Sequence, residues 1–254
     1  VSLSFRHQQI IDTARKSGRV LVDDLSELLR VTPQTIRRDL NDLCDQGHLT
    51  RVHGGAVLES GVANMAYEAR RNIAADTKES IGVLCAAGVP DDASMFINIG
   101  TTTEAVARAL INHRDIMVIT NNLNVANILA DNRHCDVVVT GGMLRRSDGG
   151  LVGESTVDTV QQFKADIAII GVSAIDEDGA LLDFDYREVR VAQAIIANAR
   201  RVFLVADSSK MERSAPIRIG HISQIDSIFT DKLPSEKLQN ICKQHGVKIC
   251  IAST

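Results

Sequence analysis

The pattern of apolar and polar positions changes character along the chain. From Leu3 to about Ala56 apolar residues recur at helical spacing in three short blocks, whereas from about Lys78 onward short β-branched runs alternate with helical stretches. The pattern predicts a helical module over 1–56 and an α/β module over 77–254. Between them, 57–76 is polar and weakly periodic and reads as a linker or hinge. In the first module Phe5, Ile10, Ile11 and Ala14 share one face of a helix expected over 4–17, which Gly18 is placed to end. A short second helix is expected behind Asp23 as N-cap, carrying Leu25, Leu28 and Leu29. The third start is the clearest. Thr32 can cap, Pro33 takes the first helical position, where its missing N–H costs nothing, and Ile36, Leu40 and Leu43 fall on one face before Gly47. These features predict an amphipathic helix over 33–46. His48 to Ala56 then read as a strand, a Gly54-Gly55 turn and a returning strand, which is a wing.

The outward side of the third helix carries candidate chemistry. Thr32, Gln34, Thr35, Arg37, Arg38 and Asn41 lie off the apolar stripe, mostly in the first turns, where a recognition helix presents side chains to base edges. Arg suits guanine O6 and N7, Gln suits adenine N6 and N7, and hydroxyls and free amides at a helix start reach phosphate. Arg51 and His53 of the wing complete the candidate DNA-binding set. An isolated Arg-Arg pair is equally well a solvated helix face; the capped helix, its basic outer face and the wing together favour double-stranded DNA. The module holds eight basic against seven acidic residues, so its positive charge is focused, and Asp39 and Asp42 are expected to turn away from phosphate.

In the second module strands are expected near 93–99, 116–119, 137–140, 166–170, 202–205, 227–230 and 247–251. The first opens into Gly100-Thr101-Thr102-Thr103 ahead of a helix, and free amides, hydroxyls and the helix dipole at such a start favour a phosphate. The threonines also read simply as helix caps. The next two strands end in Thr120-Asn121-Asn122 and Gly141-Gly142, and strand ends of a parallel sheet converge on one crevice, so these three loops are expected to face one ligand. Lys210 is a candidate counter-charge for phosphate or a solvated lysine, and Asp176 either accepts a sugar hydroxyl or turns the chain.

Composition narrows the classes. Lys plus Arg number 28 against 32 Asp plus Glu, a formal charge of −4, which excludes a chain that is basic throughout but permits a local basic patch. Aromatics at 3% with no Trp argue against stacking platforms for single strands. The five cysteines form no CxxC pair, no apolar run approaches the ~18 residues of a membrane span, and no signal-peptide core is seen near Val1, so a reducing cytoplasm without metal is expected. The competing class is an isomerase or transferase with a DNA-binding arm, whose base would come from Asp176, Asp178, Asp183, Asp185 or Glu188. Those acids have no fixed partners in the sequence, so no enzyme is expected.

The run Val31-Thr32-Pro33-Gln34-Thr35-Ile36-Arg37-Arg38-Asp39-Leu40-Asn41-Asp42-Leu43, followed by Arg51-Val52-His53-Gly54-Gly55-Ala56, resembles the signature of the DeoR family of bacterial transcription regulators. The resemblance extends to the loops at Gly100, Thr120, Gly141 and Asp207-Ser208-Ser209-Lys210. It implies a winged helix-turn-helix bound to operator DNA as a dimer or tetramer. The C-terminal α/β, Rossmann-like domain is then expected to resemble ribose-5-phosphate isomerase and CoA transferases and to sense a phosphorylated metabolite at Gly100 to Thr103. Asn98 departs from the pattern, since many members carry Asp there. Within the family, Thr120 to Asn127, Asp148 to Gly150 and Phe184 to Arg190 resemble the members that respond to glycerol 3-phosphate. That metabolite is the expected effector, acting in place of any cofactor, and release of operator DNA is the expected response.

Overall fold

The computed structural model describes residues 5–17, 19–52, 54–57, 67, 71 and 74–253. The chain forms two compact units, 1–63 and 64–254.

In the first unit α1 (Phe5–Ser17), α2 (Val22–Leu29) and α3 (Pro33–Asp45) enclose a core of Ile10, Ile11, Ala14, Leu25, Ile36, Leu40 and Leu43. Two apolar residues of these helices lie outside it: Phe5, expected on the apolar face of α1, is 81% exposed, and Leu28 is 61% exposed. Phe5 begins the described part of α1. Leu28 falls off the α2 face set by Val22, Leu25 and the half-buried Leu29, because each residue turns the helix by about 100°. Asp23 is not the cap of α2 either. The preceding strand β1 (Arg19–Leu21) runs straight into the helix, Leu21 takes the cap position, and Asp23 and Asp24 sit in the first turn, where the helix dipole favours acids. The third helix starts as expected, with Pro33 at its head and the Thr32 hydroxyl accepting from the Thr35 amide at 3.3 Å. The wing pairs β2 (Thr50–Val52) with β3 (Gly55–Val57), Arg51 opposite Ala56, and β3 pairs on its other side with β1. Gly55 is required there, since a Cβ would lie 2.0 Å from the Val20 carbonyl oxygen of β1. Gly18 and His53 lie outside the described residues, as does most of 57–76.

The second unit is built on seven parallel strands: β4 (Ser94–Ile97), β5 (Ile116–Thr120), β6 (Cys135–Val139), β9 (Ala165–Ile170), β12 (Ala199–Val205), β14 (Ser227–Thr230) and β15 (Lys248–Ile251). All seven expected strands are present, in the order β15-β14-β12-β9-β4-β5-β6. Alternate side chains feed two cores. Met95, Ile97, Ile167 and Ile169 face α4 (Ala75–Ala86), α5 (Thr101–Ala109) and α6 (Leu123–Leu129), while Phe96, Ala168 and Ile170 face α7 (Glu154–Gln161), α8 (Tyr186–Ala197) and α9 (Glu236–Gln244). Burial on both faces explains why these strands read as continuous apolar runs. The short strands β10 (Ala174–Ile175), β11 (Ala180–Asp183) and β13 (Ile217–His221) form a separate antiparallel sheet, and β7 (Met143–Arg145) with β8 (Gly150–Val152) a hairpin. All five cysteines are free thiols.

Candidate functional site

Two surfaces carry the chemistry, one in each unit. On α3 the side chains of Gln34, Arg37, Arg38 and Asn41 are exposed, Thr35 is half-buried, and Arg51 is exposed on the wing. Thr32, Gln34, Thr35 and Arg38 line one shallow depression with Arg6. Thr32 and Thr35 also share a hydroxyl contact of 2.9 Å. Asp39 turns inward: Arg6 Nη2 donates to it at 3.0 Å and the His7 ring lies at 3.3 Å. Burial by itself raises the Asp39 carboxyl, but the hydrogen bond and charge of Arg6, helped by His7, hold it below the ordinary carboxylate range. Asp42 does not turn away. It stays exposed in the same depression, so one acid of the expected pair is neutralised by α1 and the other remains at the surface.

In the second unit the strand order sets the site. From β4 the chain runs outward to β5 and β6 and then crosses back to β9, so the two halves of the sheet part between the carboxyl ends of β4 and β9. That parting is where open parallel sheets bind ligands. A pocket sits there, lined by Ile99 to Thr102 after β4, Gly171 to Ser173 after β9, Val205 on β12 and Lys210. Helix geometry leaves the first amides of α5 without intrahelical acceptors. The hydroxyls of Thr101 and Thr102 have no hydrogen-bond partner among the described residues. Thr103 is different: its hydroxyl turns inward to the carbonyls of Asn98 and Gly100, both at 2.8 Å, and holds the loop. Asn98 shows why an amide suits its position. Its Nδ2 donates to the Gly171 carbonyl at 3.1 Å and its Oδ1 accepts from the Gly171 amide at 2.8 Å, clamping the two strand ends that frame the pocket.

The other expected loops do not reach this pocket. Asn121 and Asn122 are buried beside it in support: Asn121 donates to the Leu151 carbonyl, and Asn122 caps α6 and donates to Glu104. Gly141 and Gly142 follow the edge strand β6, where the Thr156 hydroxyl binds the Gly141 carbonyl. The neighbour of β4 across the crevice is β9, a pairing that sequence order conceals. Asp176 is exposed in the turn between β10 and β11, where it accepts from the Glu177 amide.

The acids of the pocket are Asp183, at the end of β11, and Glu188, in the first turn of α8. Asp183 Oδ1 accepts from the Phe184 amide at 2.6 Å. Glu188 Oε2 accepts from Arg145 Nη2 at 2.6 Å, and Arg145 also grips Asp148 (2.7 and 2.8 Å) and Asp185 (3.1 Å). Burial, followed by the nearby Asp183 charge, pushes the Glu188 carboxyl up to about 8 in spite of Arg145. A second network links the pocket helix to Tyr67: its hydroxyl donates to Glu104 Oε2 at 2.8 Å, and Asn124 Nδ2 reaches both Glu104 Oε1 (3.0 Å) and the Tyr67 hydroxyl (3.1 Å). Tyr67 carried no periodic signal, and Asp183 and Glu188 were only two of five acids without partners. Among the described residues no group of His, Cys, Asp or Glu is placed to hold a metal ion, and no helix is long and apolar enough to cross a membrane.

Residues 6–61 match the DeoR-like helix-turn-helix domain and 73–232 the DeoR C terminal sensor domain. The chain belongs to the DeoR family. It joins a DeoR-like helix-turn-helix to a DeoR C terminal sensor domain. It is 44% identical over 244 residues to the glycerol-3-phosphate regulon repressor of Escherichia coli K12, covering 96% of this chain and 97% of that one. It is 41% identical over 246 residues to the transcriptional repressor CsqR of the same organism, covering 97% and 94%. Among solved structures, ribose 5-phosphate isomerase A from Neisseria gonorrhoeae aligns at 12% identity with a TM-score of 0.40, over 56% of this chain and 55% of that one.

Proposed function

We propose that this DeoR-family chain is a transcriptional repressor of glycerol and glycerol 3-phosphate metabolism genes, released from its operator by glycerol 3-phosphate. The observation that carries the reading is the 44% identity, over nearly the whole of both chains, to a repressor named for the glycerol-3-phosphate regulon. The geometry supports it with an exposed basic and amide-bearing face on α3 and a pocket framed by a helix start and Lys210. In this reading Gln34, Arg37, Arg38 and Asn41 reach the major groove, Thr32, Thr35 and Arg51 reach the backbone, and the phosphate sits on the amides and hydroxyls of Thr101 and Thr102 with Lys210 as counter-charge. The protein works in the cytoplasm as a dimer or tetramer, so that two α3 helices meet two half-sites. It needs no cofactor and turns nothing over.

The mechanism is linkage: if the metabolite binds the DNA-incompetent arrangement more tightly, it lowers DNA affinity by the same factor. The segment 57–76 transmits the change, and the bond from Tyr67 to Glu104, three residues past Thr101, supports that route. The test is fluorescence anisotropy on a duplex from a glycerol-catabolic promoter at fixed salt, titrated with glycerol 3-phosphate and with other sugar phosphates. Release by glycerol 3-phosphate at concentrations where the others are inert is the expected result. Release by a different sugar phosphate alone replaces the effector, and turnover of a sugar phosphate by the purified protein favours the isomerase reading.

A further inference from the structure

The pocket combines groups of opposite character. It is lined by the α5 start, with the unpartnered hydroxyls of Thr101 and Thr102, by Lys210, and by two acids, Asp183 and Glu188. Asp183 is 3% exposed, and its Oδ2 has no hydrogen-bond donor among the described residues although its Oδ1 is held by the Phe184 amide. Glu188 is likewise engaged through one oxygen, Oε2, leaving Oε1 without a donor. A buried carboxylate oxygen that lines a pocket and lacks a donor is an acceptor waiting for a hydroxyl or an amine. A second anion brought to the same place meets like charge with little solvent to screen it.

We infer that Asp183, backed by Glu188, is the hydroxyl-reading end of the effector pocket and restricts it to phosphate esters whose far end is an uncharged polyol, rejecting those that end in a carboxylate. This rests on the reading of the pocket as the effector site. It also fixes the ligand's direction. The phosphate cannot lie against the Asp183 carboxylate, so it takes the α5 start, and a distal hydroxyl donates to Asp183 Oδ2. Arg145 does not relieve the repulsion, because it is already shared among Asp148, Asp185 and Glu188.

The experiment is calorimetric titration of the full-length protein with glycerol 3-phosphate and with 3-phosphoglycerate, which replaces the terminal CH2OH by a carboxylate, repeated on Asp183→Asn. Asn keeps the Oδ1 that the Phe184 amide needs while removing the charge. The wild type is expected to bind 3-phosphoglycerate at least ~100-fold more weakly than glycerol 3-phosphate. In Asp183→Asn that ratio narrows by about tenfold or more, through weaker polyol binding and easier entry of the carboxylate. Equal wild-type affinities, or a ratio that Asp183→Asn leaves unchanged, overturn the inference, and the wild-type ratio decides by itself if the variant does not fold. If glycerol 3-phosphate does not bind, the same pair of measurements is made with ribose 5-phosphate and its acid analogue, 5-phosphoribonate. A wild-type preference for the polyol form that Asp183→Asn narrows then upholds the acid end while discarding the proposed effector. No preference overturns it.

Discussion

Arg37 is exposed on the outer face of α3, one residue from Ile36, which is fully buried. Its replacement therefore tests recognition without touching the core. If Arg37 reads a base, Arg37→Ala costs about 1–3 kcal/mol of operator affinity and relaxes sequence preference; if it holds a phosphate, binding weakens alike on all sequences and the salt slope flattens by about one. Anisotropy on operator and scrambled duplexes at several salt concentrations separates the two, and unchanged affinity on both removes Arg37 from the interface. The residue scale is also where sequence reading is weakest. Hydroxyl and amide side chains look alike along the chain, yet Thr102 lines the pocket while Thr103, its neighbour, ties down the loop. Asp176 looked like a ligand group because of the turn around it, whereas Asp183, next to Phe184 at a strand end, gave no such cue. Which side of a turn faces a crevice depends on strands far away in sequence.

Elements were more legible because local chemistry fixes them. Thr32, Pro33 and the stripe of Ile36, Leu40 and Leu43 all specify the same helix, and α3 forms where they agree. The seven parallel strands were visible as apolar runs, but their order was not, since pairing depends on helix crossovers, and the ligand crevice follows from that order. The junction of β7, β11 and α8 gives an element-scale prediction, because three carboxylates there share Arg145. Glu188 holds its proton to about pH 8 in the folded protein, against an ordinary value near ~4.3 when unfolded. The folded state thus binds more protons across that window. Its stability from this group is full below about pH 4.3 and is lost as pH rises through 8. Urea unfolding of the wild type is expected to give an unfolding free energy lower at pH 8.5 than at pH 6 by on the order of 2 kcal/mol, and Glu188→Gln, which has no proton to lose, is expected to flatten the difference. Parallel pH dependence in the two proteins would assign the loss to other groups.

At the scale of the whole molecule, the proposed repressor requires a pocket in one unit to change the affinity of a helix in the other. In the proposed reading the effector phosphate lies against Thr101 and Thr102, and α5 carries Glu104 one residue past Thr103. Glu104 is buried and receives three donors, from Tyr67, Asn122 and Asn124. Of the three, Tyr67 belongs to the segment that leads back to the wing, so under the proposed mechanism it is a route by which a change at the pocket reaches that segment. Tyr67→Phe removes the hydroxyl and leaves Glu104 its two asparagine donors, so the domain should fold and bind ligand. Calorimetry is expected to return near wild-type affinity for glycerol 3-phosphate, and anisotropy near wild-type affinity of the ligand-free protein for operator. Their coupling, read as the ratio of operator affinities with and without saturating glycerol 3-phosphate, should shrink by about 0.5–2 kcal/mol. Coupling equal to wild type would mean that the signal leaves the sensor domain elsewhere and that Tyr67 only anchors the segment. A loss of ligand affinity matched by an equal loss of release at subsaturating ligand, with full release at saturation, would instead make Tyr67 part of the pocket's support.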